Sequence, residues 1–171
     1  MFRSEHPLGL VLKGKSSDEK FYAPEQWEKV LSKIPVVKTH PGEGFESRDL
    51  MLSVKAAGQV KAFPLKTVAA EKLVRDRVGS EPVVVVLGPD GDSVRAFRVP
   101  PTDFYRTDEA NGALMMDSAT GSKWNFQGCA VEGSSQGQCL DALDLSRDYW
   151  FNWRSYHPDA PVYRKATSES R

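Results

Sequence analysis

The sequence carries no excess of charge of either sign. Its 23 basic side chains are matched by 23 acidic ones, so the formal net charge at pH 7 is zero. Proteins that bind nucleic acid or anionic membranes through phosphate groups usually present a positive field to them. We therefore expect no nucleic-acid partner.

Long apolar runs are also missing. The longest, Val83–Leu87, falls far short of the ~20 residues that a membrane-spanning helix needs, so no direct membrane span is expected. The apolar segment Leu8–Leu12 is interrupted by Gly9 and is shorter than the core of a secretory signal. If the protein is exported, we expect its signal to have been removed already.

Motifs for catalysis and metal binding are scarce. The three histidines, His6, His40 and His157, stand singly in predicted loops, and no HExxH or CxxC pattern occurs. The GxSxG pattern of serine hydrolases is absent as well. These absences favour a protein without catalytic residues, a bound metal or a cofactor.

The two cysteines leave two interpretations open. Cys129 and Cys139 are either unrelated buried thiols or a disulfide formed in an oxidising compartment. The residues between them have strand-like ends around a Gly/Ser-rich turn, and a hairpin there would bring both cysteines to nearly opposite positions. The local sequence favours the disulfide.

Alternating and β-branched segments predict most of the secondary structure. Strands are expected in one hairpin over 50–56 and 60–64, in a second over 114–116 and 123–126, and in the buried run 83–87 with its neighbour 94–99. Helices are expected over Pro24–Lys33, Pro64–Val78 and Ser146–Tyr156. The predicted fold is α+β, with mostly short antiparallel strands in a β-rich sheet or partial barrel and two or three helices.

Two segments have a functional and a structural interpretation. The loop Gly88–Ser93 follows a strand, as phosphate-binding loops do, but it lacks their GK[ST] ending and is typical of a β-turn. The aromatic tail 149–156 would either stack a ligand or pack its tryptophans in the core, and packing is favoured. The ligand or partner surface predicted there consists of Arg147, Tyr149, Arg154 and His157. An ion pair of Arg154 with Asp159 is also predicted.

Several segments follow one another in an order that resembles a known family. They are GQVKAFPLK (58–66), LVRDRVGSEPVVV (73–85), MMDSATGSKWNFQG (115–128), the glycines Gly133 and Gly137, and WFNWRSYHPDAPVY (150–163). On these motifs, from about Leu50 to Arg164, the chain resembles the bacterial domain-of-unknown-function 3179 family, whose members are mostly exported and include predicted selenoproteins. The resemblance implies a β-rich domain over 46–171, with residues 1–45 as an N-terminal extension packing on it.

The chain departs from this family where chemistry is expected. Family members typically carry Trp-His-Glu after the Pro-Leu step and Cys-Pro-x-Cys-Gly after the buried strand. At these places this chain has Glu71 in the first motif and Gly88 and Gly91 in the second. Glycine cannot supply the ionisable sulfur that thiolate or soft-metal chemistry needs. The resemblance thus implies a degenerate site, and the joint loss predicts that the three positions form one site.

Two functions follow as expectations. The first is a non-catalytic binding or structural domain, periplasmic or extracellular in the bacterial envelope, that serves as a subunit or accessory protein of a cell-envelope or redox complex and binds another protein. The alternative is a redox or metal-handling protein whose site has moved to Cys129, Cys139 or His157. Bound metal or an easily reduced disulfide would favour the alternative.

Overall fold

The computed structural model of the chain describes residues 7–10, 13–16, 30, 33–36, 39–41, 43–109 and 112–165. The chain divides into two compact units, Met1–Val37 and Lys38–Arg171. The helix predicted over Pro24–Lys33 belongs to the first unit and lies for the most part outside the described residues. The domain boundary predicted at residue 45 stays a prediction.

The second unit contains, in its described part, eleven strands and two short helices. The strands are β1 (Leu50–Ala56), β2 (Gln59–Pro64), β3 (Leu73–Val78), β4 (Glu81–Leu87), β5 (Val94–Arg98), β6 (Phe104–Arg106), β7 (Ala113–Asp117), β8 (Lys123–Asn125), β9 (Ala130–Glu132), β10 (Asp141–Ala142) and β11 (Leu145–Tyr149). The helices are α1 (Leu65–Glu71) and α2 (Trp150–Tyr156). Neither these helices nor any other described segment has the length and apolar character that a helical membrane span requires.

The strands form three antiparallel sheets. Sheet A has the order β11-β1-β2, sheet B has β10-β5-β4-β3, and sheet C has β6-β7-β8-β9. None of the three closes into a barrel within the described residues. The α+β class and the β-rich, antiparallel organisation predicted from the sequence are confirmed.

Sheet B is the middle layer, which explains the continuous apolar run in β4. Val83 and Val85 belong to the core shared with sheet A, whereas Val84 and Val86 belong to the core shared with sheet C. Successive side chains of a strand point to opposite faces, and all four valines are at most 1% exposed. Because both faces of the strand are covered, every position in the run must be apolar.

Helix α2 covers the other face of sheet A. Trp150 and Trp153 are buried and pack with Met51 and Ala62. Their rings stack with centroids 6.0 Å apart, and Trp153 Nε1 donates a hydrogen bond to Ser53 Oγ at 3.0 Å. The tail tryptophans are therefore core residues, as predicted.

The helix predicted over Pro64–Val78 is wrong in its second half. Helix α1 stops after two turns, where Lys72 adopts a left-handed conformation with φ of 61°. The chain then continues as β3, which buries Val74 and Val78 and pairs with β4. The residues of this segment also suit a helix, and its pairing with β4 makes it an edge strand. Gly79 begins the hairpin turn instead of ending a helix.

The helix predicted over Ser146–Tyr156 begins only at Trp150. The residues before it belong to β11, which pairs antiparallel with β1 and places Tyr149 opposite Leu50. The sequence did not indicate this strand because Leu145 is its one residue that packs on the core cluster. An edge strand with mostly polar residues has no strong alternating signal.

Candidate functional site

Glu71 and Gly88, two of the positions predicted to form a degenerate site, lie near each other at the ends of α1 and β4. The Leu87 amide donates a hydrogen bond to the Lys72 carbonyl oxygen at 2.8 Å, which places the end of the helix beside the end of the strand. Glu71 directly precedes this contact and Gly88 directly follows it. The structure thus brings into proximity two of the positions that the resemblance marks as one site.

Gly88 occupies a space that a larger residue cannot enter without displacing its neighbours. A Cβ atom here would lie 2.9 Å from Asp90 Oδ1, 3.0 Å from the edge of the Phe126 ring and 3.2 Å from the Ser93 carbonyl oxygen. Carbon atoms in van der Waals contact are normally about 3.5–4.0 Å apart. At Gly91 a Cβ would meet open space, although φ of 72° disfavours any side chain there. The resemblance places the first cysteine of the family at Gly88. In this protein, neighbouring atoms already occupy the space that its side chain would need.

The loop that contains both glycines is fixed by its own hydrogen bonds. Asp90 Oδ1 accepts from the amides of Asp92 and Ser93 at 3.2 and 2.9 Å, and the Ser93 hydroxyl donates to Asp90 Oδ2 at 2.6 Å. The hydroxyl bond, together with the amide bonds, lowers the pKa of the Asp90 carboxyl. Arg147 joins the loop to β11 by donating to Asp92 Oδ1 at 3.1 Å. The segment is a turn, as predicted.

Charged side chains surround the end of β4. Arg106, with only 15% of its side chain exposed, donates from Nη1 to the Leu87 carbonyl oxygen at 2.5 Å. Its Nε and Nη2 atoms donate to Asp108 Oδ1 at 2.9 and 2.7 Å, and Lys72 Nζ lies 3.5 Å from Asp108 Oδ2. The hydrogen bonds from Arg106 lower the pKa of the Asp108 carboxyl. Sequence reasoning missed Arg106, because the three-residue strand β6 leaves no periodic pattern.

The C-terminal segment contacts Glu71. The Tyr163 hydroxyl donates to Glu71 Oε2 at 3.2 Å, and Lys165 Nζ lies 3.8 Å from Glu71 Oε1. The Tyr163 ring stacks on the buried Phe63 ring with centroids 5.6 Å apart. Burial, followed by the negative charge of Glu71, raises the pKa of Tyr163 to about 12. Glu71 thus accepts a hydrogen bond from Tyr163 and forms an ion pair with Lys165.

The Glu71→Gln substitution is expected to lower the pKa of Tyr163 from its value of about 12, because it removes a neighbouring negative charge. Ultraviolet absorbance of tyrosinate measures the titration, and the difference from a Tyr163→Phe protein isolates this phenol. Asp141→Asn removes the same charge on the distant strand β10 and should leave the titration unchanged. An unaltered pKa in Glu71→Gln would contradict the contact.

Cys129 and Cys139 form a disulfide, which confirms the favoured interpretation. Their Cα atoms are 4.0 Å apart, and the two residues form an isolated antiparallel bridge. The Leu140 amide beside them donates to the Gly128 carbonyl oxygen at 2.8 Å. Gly128 itself packs so tightly that a Cβ atom would lie 2.4 Å from the Phe97 ring of β5. The disulfide therefore fixes the chain where it passes from sheet C to sheet B.

Replacing both cysteines with serine is expected to lower the free energy of unfolding by about 2–3 kcal/mol, the chain-entropy estimate for a loop of this length. Urea denaturation of Cys129→Ser/Cys139→Ser measures the loss. Wild-type protein kept under a strong reductant is the matched control, because it lacks the same cross-link without a substitution. Equal stability of the oxidised wild type and the variant would show that the disulfide contributes nothing.

Arg154, predicted as part of a ligand or partner surface, is only 7% exposed. Its Nη1 atom donates to three carbonyl oxygens of residues 157–160, at 2.8–3.1 Å, and its Nη2 atom contacts the Glu43 carboxylate. The predicted ion pair with Asp159 is wrong, because the guanidinium turns inward beneath the tail carbonyls and toward Glu43. The Arg154 side chain therefore holds residues 157–160 in place.

Two of the other residues of the predicted surface lie on one strand, and the third lies beyond helix α2. Arg147 and Tyr149 are exposed on β11, whereas His157 follows α2 and packs beside the Trp153 ring at 5.1 Å between centroids. The disulfide lies between β8 of sheet C and β10 of sheet B, whereas His157 follows α2 on the outer face of sheet A, so the structure does not bring His157 and the cysteines together. Among the described residues, no group of three or more His, Cys, Asp or Glu side chains is arranged to hold a metal ion.

A family model described as "Protein of unknown function (DUF3179)" matches residues 1–160 of the chain. The match includes residues 1–45, which the motif resemblance left outside. No curated protein and no solved structure matches the chain. The family description states no activity, so the chemistry of this protein has to be argued from its own residues.

Proposed function

The chain belongs to the DUF3179 family of proteins of unknown function, and we propose that it is a non-catalytic domain that binds another protein outside the cytoplasm. Its role is that of a subunit or accessory protein of a cell-envelope or redox complex. The main support for this proposal is the close packing at Gly88, where neighbouring atoms occupy the space that a side chain would need.

At the positions where a thiolate or metal site is expected, the side chains pack against each other or form hydrogen bonds within the protein. The Phe126 ring and the Asp90 carboxylate fill the space beside Gly88, and Arg106 covers the end of β4. Glu71 is engaged by the tail. A reactive thiolate or metal site needs ionisable ligands and an accessible position. These contacts support the proposal that the protein keeps the fold but has no thiolate or metal chemistry.

The disulfide supports a location outside the cytoplasm. Reducing compartments keep most protein thiols reduced, whereas periplasmic and extracellular proteins keep disulfides. Fractionation of the native cells, with alkylation of free thiols at lysis, tests this part of the proposal. Recovery of the protein in the cytoplasmic fraction with both thiols alkylated would contradict it.

Gly88→Ala is expected to destabilise the protein by about 1–3 kcal/mol, because the added methyl group overpacks the space beside Phe126. The Asp90 carboxylate cannot easily give way, since three hydrogen bonds hold it. Thermal or urea denaturation measures the effect. Gly14→Ala is the matched control, because a Cβ there would meet nothing within 4 Å; an equal effect of both substitutions would show that the space is open.

Metal analysis and affinity capture test the proposed function directly. Protein isolated from its native cells should contain no stoichiometric metal, and crosslinking before capture should recover a protein partner. Its disulfide should resist reduction at potentials above about −300 mV, as structural disulfides do. Stoichiometric metal, or capture without any protein partner, would overturn the proposal.

The redox alternative has one observation in its favour, which is that Cys139 is exposed to solvent. Accessible disulfides are the ones that exchange with external thiols. Redox titration against glutathione distinguishes the two functions, because a catalytic disulfide is reduced at about −120 to −270 mV. A midpoint reduction potential in that range would support the redox function and contradict the binding function.

A further inference from the structure

The C-terminal segment Pro161–Lys165 lies along the outer edge of β2 as an added strand. The Ala62 amide donates to the Pro161 carbonyl oxygen at 3.0 Å, and the Tyr163 amide donates to the Ala62 carbonyl oxygen at 2.7 Å. Ala62 and Val162 form a parallel bridge. Addition of a strand to a sheet edge is a recurring way to bind an extended peptide, in which main-chain bonds supply affinity and alternate side chains supply specificity.

The side chains of this segment enter two different environments. Val162 packs with the tryptophan cluster on the outer face of sheet A, whereas Tyr163 packs with the core on the inner face, against Phe63. The tyrosine hydroxyl and the Lys165 ammonium both approach Glu71. The edge of β2 therefore accepts an apolar residue, then a tyrosine, then a cation.

The segment is anchored at its base and more lightly held toward its end. Arg154 fixes the preceding residues through three carbonyl oxygens. Beyond them, the backbone contacts with β2 involve Ala62 alone, and Arg164 contacts the Glu43 carbonyl oxygen at 2.6 Å. The Lys165 side chain is 70% exposed. Release of this end breaks the two backbone bonds with Ala62, the packing of Val162 and Tyr163 and the contacts of Arg164, and leaves the base in place.

We propose that the edge of β2 is the partner-binding site, that Pro161–Lys165 occupies it in cis, and that an extended partner segment with an apolar–tyrosine–basic pattern competes for it. This inference rests on the proposed binding function and names its partner chemistry. The carboxylate of Glu71 at the site matches the positive charge of such a segment, whereas Asp76 is already paired with Lys61 of β2 at 2.5 Å. The negative charge of both carboxylates also contributes to the raised pKa of Tyr163, after its burial, so a neutral phenol is the form that binds.

Hydrogen exchange in the wild-type chain tests whether the segment opens. The Ala62 amide is bonded only to the tail segment, whereas the amides of β1 are bonded inside sheet A. Local opening should let the Ala62 amide exchange at least about tenfold faster than the β1 amides. Exchange of Ala62 only together with the β1 amides would mean that the segment opens by global unfolding, and would overturn the proposal.

Peptide binding tests the competition. The probe is a labelled synthetic peptide of residues 159–165, added to the full chain and to its Val162→Gly/Tyr163→Ala variant, whose own tail is weakened. Since occupation in cis reduces apparent affinity by the fraction of open molecules, the variant should bind the peptide about tenfold more tightly or better. Tyr156→Ala, which removes an exposed tyrosine outside the segment, should bind it like wild type.

Specificity and alternative occupants are part of the same experiment. Adding Glu71→Gln to the weakened-tail variant, or replacing the peptide's tyrosine with alanine, should each weaken binding at least about fivefold. No peptide binding by a variant with fast Ala62 exchange would overturn the proposal, and so would concentration-dependent dimers, which would make a second copy the occupant. If affinity capture from native cells recovers the same partner with wild type and the weakened-tail variant while the peptide fails to bind, the proposed function stands and its site lies elsewhere.

Discussion

Replacing Arg154 with methionine is expected to lower the free energy of unfolding by about 3–5 kcal/mol, the range for removing one member of a buried charge network. The guanidinium is buried over the Trp150 ring, 4.7 Å from its centroid. It supplies the donors for three carbonyl oxygens of the tail and the partner for Glu43. Methionine fills a similar volume but leaves these acceptors without their donor.

Urea denaturation followed by tryptophan fluorescence measures this loss, because Trp150 and Trp153 lie directly beneath the guanidinium. With an m-value of about 1–3 kcal/mol/M, the midpoint should fall by at least about 1 M. Arg147→Met is the matched control: its exposed ion pair with Asp92 is expected to contribute less than about 1 kcal/mol. Equal losses in the two variants would show that Arg154 acts as a surface residue.

The sequence predicted the parts of the fold that rest on local patterns. The run Val83–Leu87 indicated a strand covered on both faces, and it lies inside sheet B. The hairpin of β1 with β2 and that of β7 with β8 were predicted from alternation and turn residues. These elements are specified by neighbours in the chain, so a single sequence is enough to find them.

The parts that were missed depend on strand pairing. The segment Leu73–Val78 has residues that suit a helix, and only the edge offered by β4 makes it a strand. Strand β11 is defined by its pairing with β1, about a hundred residues earlier. No local pattern encodes such a partner, because the pairing is long-range.

The candidate site, like the fold, could be predicted only in part from the sequence. The missing cysteines and histidine were visible as residue identities at Glu71, Gly88 and Gly91. That Phe126 fills the space beside Gly88 could not be predicted, because the ring comes from a different sheet. The sequence therefore indicated which positions to compare, while the structure shows which side chains surround Gly88.

The buried carboxylate of Asp117 is the second feature with a large expected effect. Asp117 is 3% exposed and accepts hydrogen bonds from Trp124 Nε1 at 3.0 Å and from the Thr120 amide at 2.6 Å. The Thr120 hydroxyl lies 2.8 Å from Oδ2 and 2.7 Å from Ser122 Oγ. These residues, within the family-like motif of the β7–β8 hairpin, therefore form one hydrogen-bonded network around a charge.

Asp117→Asn is expected to cost about 1.5–3 kcal/mol at neutral pH, because hydrogen bonds to a charged acceptor become bonds to a neutral one. Burial alone would raise the pKa of Asp117, but the bonds from Trp124 and Thr120 outweigh it and lower the pKa below the ordinary 3.8. A lowered folded-state pKa gives stability that is present above the unfolded value and is lost as pH falls through the folded value. The stability difference between wild type and variant should therefore be constant near neutrality and shrink below pH 3.8.

Urea denaturation of both proteins from neutral pH to the acid range measures this difference. Asp90→Asn is the matched control, because Asp90 accepts comparable turn hydrogen bonds but is exposed to solvent. Water replaces lost hydrogen bonds at an exposed site, so its effect should be the smaller one at every pH. A difference for Asp117→Asn that persists unchanged at acid pH would show that the charge of Asp117 is not its cause, since a protonated carboxyl is neutral and has nearly the same shape as the asparagine amide.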